Sequence, residues 1–540
     1  MAGTLKPVQA SSKSLLKRFG LSAFRPGQQE VVEAALRGDD VLAVMPTGAG
    51  KSLCYQLPAL VNDGLTVVIS PLIALMKDQV AALSRRGVSA AALNSQLTSA
   101  EQGRLLAQLG ELRLLYLSPE RLSHARVQRE LCSVGVARLV VDEAHCISGW
   151  GHDFRPDYRQ LGQVRKTLGN PPVTALTATA TEAVQGDIVT LLGLRDPLRV
   201  LTGFDRPNLC YRVWPVPDET AREEALHSLL ARTSGPCIVY AGTRERTETT
   251  ASQLLQWGLR SAAYHAGLDT STRNAVQDDF LAGRIKVMVA TNAFGMGVDK
   301  ADVEAVIHLE LPASLEAYYQ EAGRAGRGGQ RATCTLLYAD GDGARQAGLL
   351  RASSPTLLDL KRVYVGLRNA HPKGVSVESF GLNRGKLIGT VQLLEDQGVA
   401  TVTRESRHVK LTLRPAFTRA VPDFQPIWIM SYNARRTRLL DEMIRYAEQD
   451  CCRRDLLLGY FGDSASTGAC GCDVCRPEPY LTQASLETLA HFRRARRRQR
   501  AGETADWFLE HGLLESRRGV LGRRYTLSQT GAAALEGFKL

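Results

Sequence analysis

Residues 47–52, with the sequence Thr47-Gly48-Ala49-Gly50-Lys51-Ser52, carry the residue types of a phosphate-binding loop. They follow the apolar run 41–44, which predicts a buried strand, and such a loop needs a strand before it and a helix after it. Backbone N–H groups of the glycine turn and the positive end of the helix dipole would hold a phosphate group. Lys51 would reach the β- and γ-phosphates of a nucleotide, and the Ser52 hydroxyl would ligate Mg²⁺. Pro46 or Thr47 stands where the strict consensus has its first glycine, so an ordinary strand-to-helix turn is the alternative.

Two further groups of charged residues suit the same chemistry. The pair Asp142-Glu143 follows the apolar run 138–141; Asp142 would hold Mg²⁺ through water, and Glu143 would orient and deprotonate an attacking water. Arg324 and Arg327 stand in a segment predicted to be helical, where this spacing puts both on one face. An arginine that reaches the γ-phosphate from a second lobe stabilises the transition state and makes hydrolysis depend on lobe closure. Alone, the acidic pair would be a solvated turn and the arginine segment a surface loop.

The first 340 residues alternate short apolar runs with amphipathic stretches, as repeated β-α units do. Strands are predicted at 66–70, 112–117, 138–141 and 173–176, and in a second series at 236–240, 286–290 and 305–309. Strands that alternate with helices favour parallel sheets covered on both faces. We therefore predict an α/β protein with two tandem lobes joined near residues 203–208.

These motifs resemble those of superfamily 2 helicases and, specifically, of RecQ-family DNA helicases. The resembling segments are 24–28, 47–52, 70–79, 116–121, 142–145, 177–179, 290–299 and 320–327. The resemblance implies two RecA-like lobes, ATP and Mg²⁺ as cofactors, and movement in the 3′-to-5′ direction on DNA. It also implies that Gln28 reads the adenine edge, with Arg25 nearby, and that both residues and Gln320 join the phosphate loop in the nucleotide site.

A short aromatic segment follows the acidic pair and contains Trp150, His152, Phe154 and Arg155. Aromatic and guanidinium planes stack on unpaired bases, each worth about 1–3 kcal/mol without sequence preference. A buried Trp–Phe pair is the alternative, but the interrupting glycines and charges suit a loop better than a core strand. The segment resembles the aromatic-rich loop of RecQ helicases, which in that family senses single-stranded DNA and relays it to the ATP site.

Five of the eleven cysteines fall between residues 451 and 475, in a chain whose other cysteines are scattered. Four converging thiolates would make a tetrahedral Zn²⁺ site; a disulfide set is disfavoured under the reducing conditions that scattered cysteines indicate. The segment resembles the RecQ zinc-binding module, and the match makes Cys452, Cys470, Cys472 and Cys475 the zinc ligands. It departs from the family where only Gly471 separates Cys470 from Cys472, so Cys451 is the reserve ligand.

The segments around the cysteines are predicted to form winged helices. Helices at 357–368 and 385–396 precede two alternating strands at 399–403 and 408–413, with Arg384 and Lys386 at the start of a DNA-recognition helix. An arginine-rich stretch at 486–500 precedes a helix at 505–511 and a smaller wing at 512–516 and 524–528. Dimerisation or a purely structural role is the alternative for both wings, and a solvated face or localisation signal for the arginines.

The charge distribution fits a polyanionic partner. Residues 341–540 hold 31 Lys and Arg against 21 Asp and Glu, whereas residues 1–340 hold 36 against 34. No run of 18 apolar residues and no secretory leader is present, so we expect no membrane span and a cytoplasmic protein, nucleoid-associated in bacteria or nuclear in a eukaryote. The predicted domains are residues 1–205 and 206–342 (the two lobes), 343–420 (winged-helix-like), 421–478 (zinc-binding) and 479–540 (a basic segment with the small second wing).

The sequence thus predicts an ATP-dependent 3′-to-5′ DNA helicase of RecQ type, active in repair or recombination. Its expected partners are single-stranded DNA and duplexes with 3′ tails, with a single-stranded-DNA-binding protein as a candidate protein partner and a monomer as the expected state. An RNA helicase, a translocase that does not unwind, and a non-enzymatic winged-helix regulator are the alternatives.

Overall fold

The apolar runs of the first 340 residues form two parallel sheets in the computed structural model. The structure describes residues 16–17, 19–71, 73–94, 97–149, 155–294, 300–405, 408–464, 470–476, 514–519 and 522–528. Within these residues, no helix is both long and apolar enough to cross a membrane. Trp150, His152, Phe154, the arginine-rich stretch 486–500 and the predicted helix 505–511 lie outside the described residues.

The first lobe contains a seven-stranded parallel sheet in the order β3-β4-β2-β5-β6-β1-β7. Its strands are β1 (Val41–Val44), β2 (Leu65–Ile69), β3 (Ala90–Leu93), β4 (Leu114–Leu117), β5 (Val136–Val141), β6 (Val173–Thr177) and β7 (Leu198–Leu201). Its helices are α1 (Gln28–Arg37), α2 (Leu53–Val61), α3 (Ile73–Ser84), α4 (Ser99–Ala107), α5 (Pro119–Leu122), α6 (Ala125–Val134), α7 (Pro156–Arg159), α8 (Leu161–Thr167) and α9 (Glu182–Leu192). Because β5, β6 and β1 are neighbours, the segments that follow them meet at one edge of the sheet.

The second lobe contains a six-stranded parallel sheet in the order β10-β11-β9-β12-β13-β8. Its strands are β8 (Leu209–Val216), β9 (Cys237–Tyr240), β10 (Ser261–Tyr264), β11 (Val287–Ala290), β12 (Ala305–His308) and β13 (Ala332–Ala339). Its helices are α10 (Glu219–Ala231), α11 (Arg244–Gln256), α12 (Thr270–Leu281), α13 (Leu315–Ala322) and α14 (Asp342–Ala352). The chain passes from the first sheet to the second between β7 and β8, and this stretch contains the predicted joint at residues 203–208.

The eight predicted strands, including the run at 41–44, all lie in these two sheets, and none of them is an edge strand. The strands that the sequence prediction did not name are β3, β7, β8 and β10, which are the four edge strands, together with β13. Central strands are buried on both faces and are therefore continuously apolar, whereas β7, for example, exposes two of its four residues.

A smaller domain follows the second lobe. It consists of α15 (Leu357–Ala370), β14 (Val375–Ser376), α16 (Arg384–Asp396), β15 (Ala400–Glu405), β16 (His408–Leu413) and the short α17 (Ala416–Arg419). Antiparallel β15 and β16 form the predicted wing, and β14 adds a third strand beside β16. The two helices pack on this sheet around a core of their own, as a winged-helix-like domain requires.

Two helices carry the cysteine module and join it to the second lobe. They are α18 (Pro426–Glu448) and α19 (Arg453–Tyr460). Met443 and Tyr446 of α18 belong to the same buried cluster as the second-lobe sheet, and the Tyr446 ring lies 5.2 Å from that of Tyr318. Phe461 stacks on Phe204 of the interlobe segment with ring centroids 4.4 Å apart. The module is thereby packed directly against the second lobe and the interlobe segment.

The last described element is the hairpin of β17 (Leu514–Gly519) and β18 (Gly522–Leu527), which pair antiparallel. These strands lie where the smaller wing was predicted.

Candidate active site

The phosphate loop connects β1 to α2. Gly48 and Gly50 adopt φ values of 85° and 79°, which a residue with a side chain rarely adopts. The Gln28 amide donates hydrogen bonds to the carbonyl oxygens of Ala49 (2.9 Å) and Gly50 (3.0 Å), and its oxygen accepts one from the Arg25 backbone N–H (2.8 Å). Gln28 and Arg25, whose guanidinium contacts the Gly48 carbonyl, therefore hold the loop in this structure. Their predicted contact with adenine stays a prediction.

The acidic pair follows β5 beside the loop. The Glu143 backbone N–H donates to an Asp142 carboxylate oxygen at 3.1 Å. Glu143 itself adopts φ 49°, a conformation that costs a non-glycine residue energy and that recurs at active sites. Burial and the neighbouring Glu143 carboxylate raise the pKa of Asp142. A divalent cation beside Asp142 would favour its ionised form, and its oxygen ligand is of the type that Mg²⁺ prefers. Asp142 and the Ser52 hydroxyl at the start of α2 thus fit a magnesium site.

Lys51 lies in the electrostatic field of both carboxylates and of an arginine from the second lobe. Its ammonium group donates a hydrogen bond to the Met45 carbonyl at 3.2 Å. Burial lowers the pKa of Lys51, Glu143 and Asp142 oppose that change, and Arg327 adds to it. Four of the five predicted catalytic residues therefore converge.

The second lobe approaches the phosphate loop closely. A Cβ placed on Gly48 would lie 3.8 Å from the Arg327 side chain, and one on Gly323 would lie 2.6 Å from the Thr47 hydroxyl oxygen. The residue at position 323 must therefore be very small. Arg327 of the second lobe is therefore a direct neighbour of the phosphate loop.

The two arginines do not share a helix face, so that prediction is wrong. Helix α13 ends at Ala322, and turns through Gly323 and Gly326 (φ 56°) separate the side chains. Arg324 is 6% exposed and hydrogen-bonds with Tyr240 inside the second lobe, whereas Arg327 faces the phosphate loop. The predicted catalytic role of Arg324 stays a prediction, and Arg327 is the arginine that lies beside the phosphate loop.

Polar contacts lead from the acidic pair to the second lobe through residues 145, 177 and 179; the first is an ion-pair distance and the others are hydrogen bonds. His145 Nδ1 lies 3.4 Å from a Glu143 carboxylate oxygen and 2.9 Å from the Thr177 hydroxyl. The Thr177 hydroxyl bonds to the backbone of Thr179, and the Thr179 hydroxyl accepts a hydrogen bond from the Gln320 amide at 3.2 Å. Gln320 of α13 thus contacts the first lobe. Through this series of contacts, a shift of α13 would be transmitted to the Glu143 carboxylate.

Arg206, which the sequence prediction did not name, joins the lobes directly. It lies between β7 and β8 and donates to four backbone carbonyl oxygens, those of Thr47 (3.1 Å), Gly323 (3.3 Å), Ala325 (3.1 Å) and Gly326 (3.1 Å). The sequence shows only that Arg206 stands between Gly203 and Pro207 at the predicted joint. Its role could not be predicted, because every residue has a backbone carbonyl and such acceptors leave no pattern in the sequence.

The described residues of the predicted DNA-contacting set are already engaged within the protein. Arg155 donates from its guanidinium to the Pro71 carbonyl at 3.3 Å. Lys386 lies 3.7 Å from an Asp359 carboxylate oxygen, near the start of α16. Arg384 begins α16, but its side chain lies outside the description, as do Trp150, His152 and Phe154. Their DNA contacts stay predictions.

The cysteine module gathers four thiols. The sulfur atoms of Cys452, Cys470, Cys472 and Cys475 all lie within 4.8 Å of one another, which matches a tetrahedral site, where Zn–S distances of about 2.3 Å place the sulfurs about 4 Å apart. Cys451 is exposed and is not a member of this group. The Arg453 guanidinium donates to both carboxylate oxygens of Asp473 at 2.9–3.2 Å and so ties α19 to the loop between the cysteines.

Comparison with known proteins gives matches over most of these regions. Residues 25–186 match the DEAD/DEAH box helicase family, residues 221–329 the helicase conserved C-terminal domain, and residues 429–476 the RecQ zinc-binding family. The chain is 44% identical over 353 residues to the probable ATP-dependent DNA helicase RecS of Bacillus subtilis (strain 168), which is 65% of this chain and 71% of that protein. It is 46% identical over 334 residues to the ATP-dependent DNA helicase RecQ of Haemophilus influenzae, which is 61% of this chain but only 53% of that protein.

A solved structure with a similar fold is the Mycobacterium smegmatis helicase Lhr bound to ssDNA and AMP-PNP. It has a TM-score of 0.52 and 21% identity, over 78% of this chain and 62% of that one, so the likeness concerns the fold alone. Two RecA-like lobes that bring a phosphate loop and an arginine together define the class of protein: an ATP-driven helicase motor of superfamily 2. The four-cysteine module and the relatives narrow this further, and the chain belongs to the RecQ family of helicases.

Proposed function

We propose that the protein unwinds duplex DNA in the 3′-to-5′ direction by coupling ATP hydrolysis to movement along one strand. The observation that carries the proposal is the approach of Arg327 to Gly48 across the interlobe cleft. A nucleotide between these residues would tie the two lobes together, and its hydrolysis would release them. DNA as the track is supported by the names of the relatives, which are DNA helicases.

The residues divide the chemistry among them. Lys51 and the backbone of the phosphate loop hold the β- and γ-phosphates, Glu143 positions and deprotonates the attacking water, and Arg327 stabilises the charge that develops on the γ-phosphate. His145 and Thr177 orient Glu143. Mg²⁺, held by Ser52 and Asp142, would neutralise phosphate charge. Zn²⁺ bound by the four thiols would stabilise the fold of the cysteine module.

The proposed recognition of single-stranded DNA rests on the sequence. The segment with Trp150, His152, Phe154 and Arg155 would stack on unpaired bases and signal their presence to the adjacent acidic pair. The single-stranded-DNA-binding partner, the monomeric state and the cytoplasmic or nuclear location likewise stay predictions.

DNA-stimulated ATP hydrolysis tests the proposal. We expect hydrolysis by the wild type to rise on addition of single-stranded DNA and to be absent in Lys51→Ala with or without DNA. Stimulation by RNA alone would favour an RNA-directed motor, and full DNA-stimulated turnover in Lys51→Ala would refute the site.

A further inference from the structure

The winged-helix-like domain is attached to the second lobe by close packing. Helix α18, which follows the domain, lies so near α14 that a Cβ on Gly343 would be 2.9 Å from an α18 side chain. Arg436 of α18 donates a hydrogen bond to the Ser353 hydroxyl at the end of α14, at 2.9 Å. Helix α16 packs on α18 in turn, since a Cβ on Gly389 would lie 2.9 Å from the Tyr432 hydroxyl oxygen. The domain therefore travels with the second lobe.

The same domain also contacts the first lobe. A carboxylate oxygen of Asp396, the last residue of α16, lies 2.6 Å from the guanidinium of Arg159, the last residue of α7. Arg435 of α18 approaches the first lobe beside this pair: a Cβ on Gly149 would lie 3.1 Å from an Arg435 nitrogen and 3.3 Å from an Arg159 nitrogen. This interlobe contact involves no residue of the phosphate loop, the acidic pair or the 323–327 turn.

The charges at the end of α16 suit a partner outside the domain. Glu395 and Asp396 are the last two residues of this helix, where the helix dipole disfavours negative charge and favours positive charge. Two carboxylates there do not stabilise the helix itself, whereas docking brings the Arg159 guanidinium to this helix end. The side chains of Arg159 and Asp396 are only 30% and 21% exposed, so salt screens this ion pair less than a fully exposed one.

The contact also contains unfavourable interactions. Asp157 of α7 adds a third carboxylate beside Glu395 and Asp396. These like charges repel one another, and Arg159 and Arg414 offset part of the repulsion. One carboxylate oxygen of Glu395 is buried without a hydrogen-bond partner in the described part of the chain, which costs the docked arrangement free energy. An ion pair beside such a cluster makes a contact that can form and release.

We propose that the winged-helix-like domain is a latch between the two lobes, closed by the Arg159–Asp396 ion pair and released when the lobes open. The inference deepens the proposed function and rests on it. Because the domain travels with the second lobe, a movement of that lobe away from α7 separates the pair. The closed latch stabilises the closed cleft and so helps to hold ATP, and its release accompanies the departure of products.

ATP hydrolysis by the full chain at saturating single-stranded DNA tests the contribution of the pair. We expect Asp396→Asn to raise the KM for ATP about threefold, the usual size of a partly exposed ion pair, with kcat unchanged or higher because the lobes open more readily. Arg159→Asp should raise the KM further, since it places a fourth carboxylate in the cluster. The charge-swapped Arg159→Asp/Asp396→Arg chain should recover a low KM, which a separate structural role of either residue would not produce. The exposed Asp441→Asn variant on α18 is the matched control.

A reversible cross-link tests whether the contact must release during turnover. Arg159→Cys/Asp396→Cys is made in a chain whose exposed Cys132 and Cys451 are replaced by serine. A short bis-methanethiosulfonate reagent joins the two new thiols, and dithiothreitol removes it. We expect the cross-linked chain to bind a fluorescent ATP analogue but to lose about tenfold or more in turnover, because product release needs the lobes to open. Dithiothreitol should restore turnover. The serine background treated with the same reagent controls for modification of the remaining cysteines.

Four outcomes decide between the alternatives. Full DNA-stimulated turnover in the cross-linked chain would show a permanent joint and overturn the latch. A KM for ATP in Asp396→Asn and Arg159→Asp equal to that of Asp441→Asn would also overturn it. A higher DNA concentration for half-maximal stimulation, with an unchanged KM for ATP, would overturn it in favour of a DNA contact. A wild type without DNA-stimulated hydrolysis would instead refute the proposed function.

Discussion

Arg206 donates a hydrogen bond to the carbonyl oxygen of Thr47 at 3.1 Å, so a residue of the interlobe segment contacts the phosphate loop itself. The same guanidinium binds the turn that leads to Arg327. One planar group with five donors therefore fixes the distance between the loop that holds the phosphates and the turn that presents the arginine.

We expect Arg206→Gln to lower DNA-stimulated turnover about tenfold to a hundredfold, because misplacement of catalytic groups by about 1 Å has effects of this size. Arg206→Lys, which keeps the charge but not the planar fork, should retain part of the activity. Steady-state ATP hydrolysis at saturating DNA measures both. Wild-type turnover in Arg206→Gln would show that the bridge does not position the arginine.

The two arginines of the 323–327 turn should differ in their effects. Arg327→Ala removes the group beside the phosphate loop and should lower turnover by about 10³-fold or more while nucleotide binding persists. Arg324→Ala removes a buried contact with Tyr240, so we expect a lower melting temperature. Fluorescent-nucleotide binding, single-turnover hydrolysis and thermal melting separate these outcomes, with exposed Arg331→Ala as the control. Unchanged single-turnover hydrolysis in Arg327→Ala would contradict the assignment.

The zinc content should distinguish the adjacent cysteines. Cys452→Ser removes a member of the four-thiol group and should lose the bound metal and lower the melting temperature, whereas Cys451→Ser should retain one zinc ion per chain. Inductively coupled plasma mass spectrometry of the purified variants provides the count. Loss of zinc from Cys451→Ser with retention in Cys452→Ser would make Cys451 the ligand.

Stability should depend on pH through Glu395, at the end of α16. Burial and the nearby Asp157 and Asp396 carboxylates raise the pKa of Glu395 from 4.5 to about 7, although Arg159 and Arg414 oppose the shift. Between pH 4.5 and 7 the folded chain keeps a proton that the unfolded chain has lost, so stability falls as the pH rises.

Glu395→Gln removes this penalty. We expect its melting temperature to exceed that of the wild type at pH 8 and the difference to shrink at pH 5, as measured by thermal unfolding. The exposed Glu224→Gln variant should show no such dependence. A difference that is equal at both pH values would mean that ionisation of Glu395 is not the cause.

The central strands, the phosphate loop and the acidic pair could be predicted from sequence because each has a local signature: a continuous apolar run, two glycines before a lysine, or two carboxylates after a strand. The edge strands β3, β7, β8 and β10 could not, because one-sided burial leaves a mixed pattern. The role of Arg206 and the separation of Arg324 from Arg327 depend on backbone carbonyls and turns that form only when two lobes meet. The packing of α16 against α18 likewise depends on tertiary contacts that no local pattern encodes.

A strand-displacement assay tests the central claim most directly, namely that closure of the two lobes around a nucleotide drives unwinding of DNA. Wild type, Lys51→Ala and Arg327→Ala are mixed with 3′-tailed, 5′-tailed and blunt DNA duplexes and with a 3′-tailed RNA duplex, with and without ATP and Mg²⁺. We predict ATP-dependent displacement of the 3′-tailed DNA by the wild type and none by either variant. Displacement without ATP, equal displacement by Arg327→Ala, or displacement of the RNA duplex alone would contradict the account.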